Sequence, residues 1–307
     1  MDEHSPVLVD QALAALAIRA GGYYVDATFG RGGHTARILQ AVGGEGRVLA
    51  LDRDPAAIEF GRRRFGSDLR LTLAHAPFSD LAELVPAHSQ GRPCAGVLFD
   101  LGVSSPQLAD PGRGFSFRTD GPLDMRMDPT RGEPVSAWLA RAGVDEIREV
   151  IARLGEERFA RRVAEAIAAH RGAPLTRTAQ LAELVARAVR TREPGKHPAT
   201  RTFQALRMHV NDELGELQRG LEGALRVLAP AGRLAVISFH SLEDRAVKQF
   251  MAAQSQPDPA LARLPVLPPG YLPRLKPVGK KVKPTDAEVA ANPRARSAVL
   301  RVAERLA

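Results

Sequence analysis

With 307 residues, 44% of them apolar, the chain has material for one large domain, or a domain with a substantial insertion, around a sizeable core. It has no apolar run of about 18 residues and Met1-Asp2-Glu3-His4 lacks the apolar segment of a signal peptide, so neither a membrane span nor an export leader is expected and the cytoplasm is the default location. The single cysteine, Cys94, excludes an internal disulfide and a cysteine metal site, while the net charge of +8 comes mostly from Leu261–Ala307, where ten Lys/Arg meet three Asp/Glu. Such a segment suits a polyanion, most simply nucleic acid; a solubilising surface would look the same.

A first helix is expected from about Asp10 to Ile18, then a buried strand over Tyr23–Thr28. Gly33–Val42 reads as a helix with Ile38, Leu39 and Val42 on one side, ended by Gly43, Gly44 and Gly46. Arg47–Asp52 is a second strand ending in an acid, and Pro55 opens a helix to about Phe65. Leu69–Leu73 and Ala95–Leu101 are the third and fourth strands. Nearly uniform apolar strands alternating with helices indicate a parallel α/β sheet covered on both faces.

The rhythm then changes. Ser104–Pro134 is a long loop rich in Gly, Pro, Arg and Asp, yet Phe115, Phe117, Leu123, Met125 and Met127 give it packing material. Val135–Val189 reads as helices only. Thr202–Leu228 reads as one long helix, because Phe203, Leu206, Val210, Leu214, Leu217, Leu221, Leu225 and Leu228 form a continuous stripe. Arg233–Ser238 resumes the strands, Ser241 is placed to cap the next helix with Asp244 three residues on, and Ser297–Ala303 closes the pattern. The stretch Leu264–Pro284 is Pro-rich and basic.

The chemistry starts at Tyr23–His34, where a strand runs into three glycines and a helix start, a corner suited to a nucleotide. A dinucleotide fingerprint needs a third glycine where Thr35 stands. The acid-then-glycine pattern Asp26-x-Thr28-x-Gly30-x-Gly32 resembles instead the first motif of class I S-adenosylmethionine-dependent methyltransferases, with Thr28 where glycine is commoner. Asp52, at the end of the second strand, can accept two ribose hydroxyls in either cofactor class. Asp100 ends the fourth strand, where open α/β sheets place ligand chemistry.

Longer blocks carry a more specific resemblance. They are Thr28–His34, Asp100-Leu101-Gly102-Val103-Ser104-Ser105-Pro106-Gln107, Arg113–Phe117, Asp120–Asp128, Lys196–Gln204, Ile237–Arg245 and Asn292–Ser297. Together they resemble the MraW family of bacterial 16S rRNA cytosine-N4 methyltransferases. The resemblance implies a class I, Rossmann-like methyltransferase core with a mostly parallel sheet and an inserted all-helical domain. The core would be 1–108 and 202–307, the latter with the basic C-terminal segment, and 109–201 the loop and helical insertion that recognises substrate. It implies S-adenosylmethionine as cofactor, held by Gly32, Gly33, His34 (through its backbone), Asp52, Phe78, Asp100 and Gln107. It implies as partner 16S rRNA, within the 30S subunit or a late precursor, and no membrane.

The N4 amino lone pair is delocalised into the ring, so alignment of nitrogen, methyl and sulfur dominates the catalytic task. An acceptor on an amino hydrogen would take up developing charge. Many amino-methyltransferases place an Asp/Asn-Pro-Pro-aromatic motif there; this chain has Asp100-Leu101-Gly102-Val103, leaving Asp100 or a group within Leu101–Ser105, Ser104 included, as acceptor. Cys94 precedes a buried strand and suits a covalent route poorly. Arg113, Phe115, Phe117, Arg126, Lys196 and Arg201 are expected to meet RNA, with Arg118, Lys280, Lys281 and Lys283 as further phosphate contacts. The histidines show no ligand spacing, so no structural metal is expected. An NAD-dependent oxidoreductase, a non-catalytic RNA-binding or ribosome assembly factor and a DNA amino-methyltransferase stand as alternatives, and the oligomeric state stays open.

Overall fold

In the computed structural model, which describes residues 6–170, 172–189, 195, 197–257 and 272–307, one sheet is built from seven strands. They are β1 (Tyr23–Asp26), β2 (Arg47–Asp52), β3 (Leu71–His75), β4 (Cys94–Asp100), β5 (Leu228–Ser238), β6 (Leu275–Pro277) and β7 (Val299–Arg305). Their order is β3-β2-β1-β4-β5-β7-β6. The first five pair in parallel; β7 runs antiparallel to β5 and to β6.

Consecutive strand residues face opposite sides, and both sides are covered. Tyr23, Val25, Leu49, Leu51, Val97, Phe99 and Val236 pack with Leu81, Val85, Leu217, Leu221, Val247 and Met251. Tyr24, Val48, Leu98, Ala235 and Ile237 pack instead with Leu8, Leu16, Ile38, Leu39 and Val42. That is why the strands read as unbroken apolar runs. The covering helices are α1 (Val9–Leu16), α2 (Gly33–Val42), α3 (Pro55–Phe65), α4 (Leu81–His88), and, later in the chain, α11 (Glu213–Val227) and α12 (Ser241–Ser255). This is the Rossmann-like, mostly parallel α/β sheet expected from the sequence.

The chain divides into two compact units, Met1–Gly102 with Leu214–Ala307, and Val103–Glu213. The expected divisions at 108/109 and 201/202 therefore fall elsewhere. The second unit holds α5 (Ser105–Ala109), α6 (Val135–Arg141), α7 (Val144–Gly155), α8 (Ala160–Ala168), α9 (Thr178–Ala188) and α10 (Thr200–Val210). Within it α7 packs on α8 and α10, and α8 on α9.

Several expected elements are redrawn. The long helix over Thr202–Leu228 is two helices, α10 and α11. Asn211 breaks it: its amide donates to the Met125 and Arg207 carbonyls and accepts from Met127 N at 2.7 Å, and Asp212 turns left-handed at φ 46°. Leu228 starts β5 rather than ending the stripe. The third strand lies two residues later than expected. Helix α4, with Pro86 inside, was not expected, nor were β6 and the short α13 (Asp286–Ala291) in the basic C-terminal stretch. The long loop is held by bonds within its unit, Gly121 N to Thr178 Oγ1, Leu123 N to the Thr176 carbonyl and Val135 N to the Asp124 carbonyl. Among the described residues no helix is long and apolar enough to cross a membrane.

Candidate active site

The carboxyl ends of β1, β2 and β4 each carry an aspartate, and the three do different things. Asp26 is fully buried; its carboxylate accepts from Thr28 N at 3.1 Å and from Thr35 Oγ1 at 2.6 Å. It ties the start of the glycine turn to the first turn of α2. Burial pushes this carboxyl up, against the opposing effects of His34 and the hydrogen bonds from Thr35 and Thr28.

Gly30 and Gly32 have φ of 54° and 69°, the left-handed region. A Cβ on Gly32 would lie 2.6 Å from the Phe65 ring and 2.7 Å from Phe29, whereas one on Gly30 would meet nothing within 4 Å. Gly32 is thus demanded by packing, and Gly30 leaves open space beside the turn. Gly33 likewise abuts Pro6. Replacing Gly32 with alanine is expected to lower unfolding free energy by about 2–5 kcal/mol, the sum of left-handed strain and overpacking. Gly30→Ala should lower it by only about 1–2 kcal/mol, the strain alone. Urea denaturation of both variants checks the ordering.

Asp52, half-buried at the end of β2, closes the same turn. Its Oδ2 accepts from Gly30 N at 2.7 Å and its Oδ1 from Asp54 N at 2.8 Å. Asp54 in turn caps α3 through Ala56 N at 3.0 Å. A carboxylate offers about four acceptor positions, so two remain for a ligand diol. Burial pushes the Asp52 carboxyl up to about 6, with the Asp54 and Gly30 amides opposing and the Asp54 and Asp26 charges adding.

Asp100 is held from two sides. Its amide donates to Thr28 Oγ1 at 2.7 Å, which gives the residue standing in place of a motif glycine a joining role between turn and strand end. Oδ2 lies 3.5 Å from His34 Nδ1, and the other His34 nitrogen, Nε2, lies 3.1 Å from the Val7 carbonyl. Oδ1 is buried and has no hydrogen-bond partner among the described residues. Burial pushes Asp100 up to about 6; His34 opposes, and the Asp26 and Glu243 charges add. Glu243 sits at the start of α12, accepting from Phe239 N at 2.8 Å and His240 N at 3.3 Å. His240, not Ser241, is the cap of that helix, paired with Glu243 rather than Asp244.

The structure thus gathers Asp26, Gly30, His34, Asp52 and Asp100 at one end of the sheet. The sequence pattern singles out His34 for its backbone and misses its ring, the Thr28 hydroxyl and the His240–Glu243 pair. All lie inside the motif blocks, but what they touch is set by residues distant in the chain. Phe78 opens a short 3-10 turn, Phe78–Asp80; its ring is edge-on to Phe99 at 5.4 Å and faces Gly220. The Cys94 thiol is buried against the Gly96 carbonyl and pushed up to about 12, so it is held protonated.

The remaining residues singled out, the C-terminal lysines apart, belong to the helical unit. Ser104 and Gln107 form a capping box at α5, Ser104 N donating to Gln107 Oε1 at 2.9 Å, so the side-chain oxygen of the glutamine expected near the cofactor is engaged on the cap. Phe115 is 6% exposed, which makes it a packing residue rather than an open platform for a base. Phe117 lies tilted against His197 and edge-on to Phe203, each 4.7 Å away. Arg113 donates to the Arg126 and Met127 carbonyls, Arg126 pairs with Asp124, and Arg201 donates to the Glu156 carbonyl. Lys196 lies outside the described residues. In the other unit Lys280, Lys281 and Lys283 are exposed.

Residues 1–306 match the profile of the MraW methylase family. The chain is 54% identical over 305 residues to ribosomal RNA small subunit methyltransferase H of Halorhodospira halophila, covering 99% of this chain and 94% of that one. It is 56% identical over 308 residues to the same-named protein of Azoarcus sp., covering 99% and 97%. Among solved structures, an rRNA methylase from Streptococcus thermophilus aligns with a TM-score of 0.44 at 12% identity, over 97% of this chain and 94% of that one.

Proposed function

The chain belongs to the MraW methylase family, and we propose that it methylates the N4 amino group of a cytidine in the decoding centre of 16S rRNA, using S-adenosylmethionine in one direct in-line transfer. The observation that carries this reading is Asp100 Oδ1, a buried acceptor with no partner among the described residues, at a strand end beside the Gly30–Asp52 turn. The cytosine amino group is a donor, and carboxylates are its natural protein partners. A methylase family sets aside the nicotinamide alternative.

The residues present fit the cofactor. Asp52 has acceptor positions left for ribose hydroxyls, and Gly30 leaves the turn open where a side chain would intrude. When bound, S-adenosylmethionine supplies a methyl group already activated on a sulfonium. Asp52 and the glycine turn would hold it, and Asp26 keeps that turn rigid through Thr28 and Thr35. Asp100 Oδ1 would bond one amino hydrogen, turning the nitrogen lone pair toward the methyl and accepting developing positive charge. Over the whole transfer the nitrogen gains a methyl and gives up one proton, and Asp100 is the group that takes it. Burial of Oδ1 strengthens the interaction by excluding water.

The cytidine must leave its stack to reach such a site, so the substrate is single-stranded or flipped RNA, in the 30S subunit or a late precursor. The helical unit and the basic C-terminal segment are the proposed RNA-binding parts. Methyl transfer should label 16S rRNA in 30S particles or in free form, and nucleoside digestion should return N4-methylcytidine. Label on carbon 5, on ribose or on DNA would overturn the reading. Replacing Lys280, Lys281 and Lys283 with alanine should lower the log–log salt slope of RNA binding by about 2, since each phosphate no longer neutralised by a lysine takes about 0.7 off it. An unchanged slope would remove the segment from the interface.

A further inference from the structure

His34 occupies the second position of α2, 4% exposed, and its two ring nitrogens face two acceptors. Nε2 lies 3.1 Å from the Val7 carbonyl oxygen. A carbonyl has no hydrogen to give, so Nε2 is the donor and carries the proton. Nδ1 lies 3.5 Å from Asp100 Oδ2. In a neutral ring protonated at Nε2, Nδ1 is a bare lone pair, and here it would point at the lone pairs of a carboxylate. A proton on Nδ1 replaces that repulsion with the attraction of an ion pair across the 3.5 Å.

Two further carboxylates act on the pair. Asp26 from β1 acts on both His34 and Asp100, and Glu243 from α12 acts on Asp100, with His240 beside Glu243 at 3.1 Å. The positive end of α2 opposes a cation at this place, but it amounts to about half a charge against full carboxylates in direct reach. We infer that His34 holds a proton on Nδ1 against Asp100 Oδ2, and is thereby a positioning residue that keeps Asp100 ionised with Oδ1 turned to the substrate amino group.

The inference rests on the amino-methylation proposed above for its catalytic meaning, but not for its chemistry. In the transfer the N–CH3 bond forms, the C–S bond breaks with its electron pair left on sulfur, and the departing amino proton goes to Oδ1. The His34 proton remains facing Oδ2 throughout, so the carboxyl takes the new proton on Oδ1, the oxygen with no partner among the described residues. After product leaves, that proton returns to water.

Nitrogen-15 histidine spectra of the full chain without ligand test the pairing directly, with His34→Gln identifying the signal. At neutral pH the wild-type His34 ring should carry hydrogens on both nitrogens, and Asp100→Asn should leave one, on Nε2. In single-turnover methylation His34→Gln should be about 10- to 100-fold slower, with S-adenosylhomocysteine affinity within about threefold of wild type. The acid limb of its pH–rate profile should move to higher pH, because Asp100 loses the charge that holds its carboxyl down. A wild-type ring with a hydrogen on Nε2 alone, or a His34→Gln protein with unaltered rate and profile, would overturn the inference. A doubly protonated ring in a protein that makes no N4-methylcytidine would support the pair and defeat the proposed reaction, so the two failures are distinct.

Discussion

Asp100→Asn is expected to slow single-turnover methyl transfer by at least about 100-fold, the scale of losing one well-placed electrostatic partner of a transition state. The same substitution should stabilise the ligand-free protein at neutral pH. The folded carboxyl titrates near 6 against an ordinary value of 3.8, with burial as the main cause. A raised carboxyl means that the folded state binds the proton more tightly than the unfolded chain. Between about pH 4 and pH 6 stability therefore falls as pH rises, and above that window the wild type carries the full penalty. Two pKa units correspond to roughly 2–3 kcal/mol, which asparagine removes at pH 7.5 and not below pH 4. Urea denaturation at the two pH values, beside the kinetic assay, checks both halves. An active variant, or one less stable at pH 7.5, would mean that Asp100 serves the fold rather than the chemistry. A site that is better without its acid for folding, and worse for turnover, is the stability–activity trade-off expected of a functional group.

Which parts of this were legible in the sequence follows from which parts are local. The strands were readable because Tyr23–Asp26, Arg47–Asp52 and Cys94–Asp100 are buried on both faces and so lack polar interruptions. Asp52 and Asp100 stood out because each ends such a run. The break at Asn211 was not readable, since the apolar stripe continues through it in phase and the cause is a side chain bonded to a loop 84 and 86 residues away. Helix α4 was hidden by Pro86, which ordinarily argues against a helix interior. Phe115 and Phe117 read equally well as packing for the loop and as platforms for a base; the fold buries the first and packs the second against His197 and Phe203. The His34 ring was illegible for the same reason, because the Val7 carbonyl that makes Nε2 a donor comes from 27 residues upstream.

Asp52→Ala should weaken S-adenosylhomocysteine binding by at least about 100-fold. Two hydroxyl bonds to a carboxylate are at stake, each contributing about 1.5–3 kcal/mol. The fold should tolerate the change better than the ligand does. Alanine leaves Gly30 N and Asp54 N without their acceptor, which is destabilising. It also removes a carboxyl that burial has pushed up to about 6, which is stabilising at neutral pH by the same sign argument as for Asp100. The two effects oppose each other, so thermal unfolding without ligand should shift little while calorimetric affinity collapses. A cofactor analogue lacking both ribose hydroxyls separates ribose contact from turn collapse. Wild type should bind this analogue about as weakly as Asp52→Ala binds S-adenosylhomocysteine, and Asp52→Ala should lose little more on the analogue. If the substitution instead weakens both ligands by the same factor, Asp52 acts only by latching the glycine turn, and the ribose contact is refuted while the turn's part in the pocket stands.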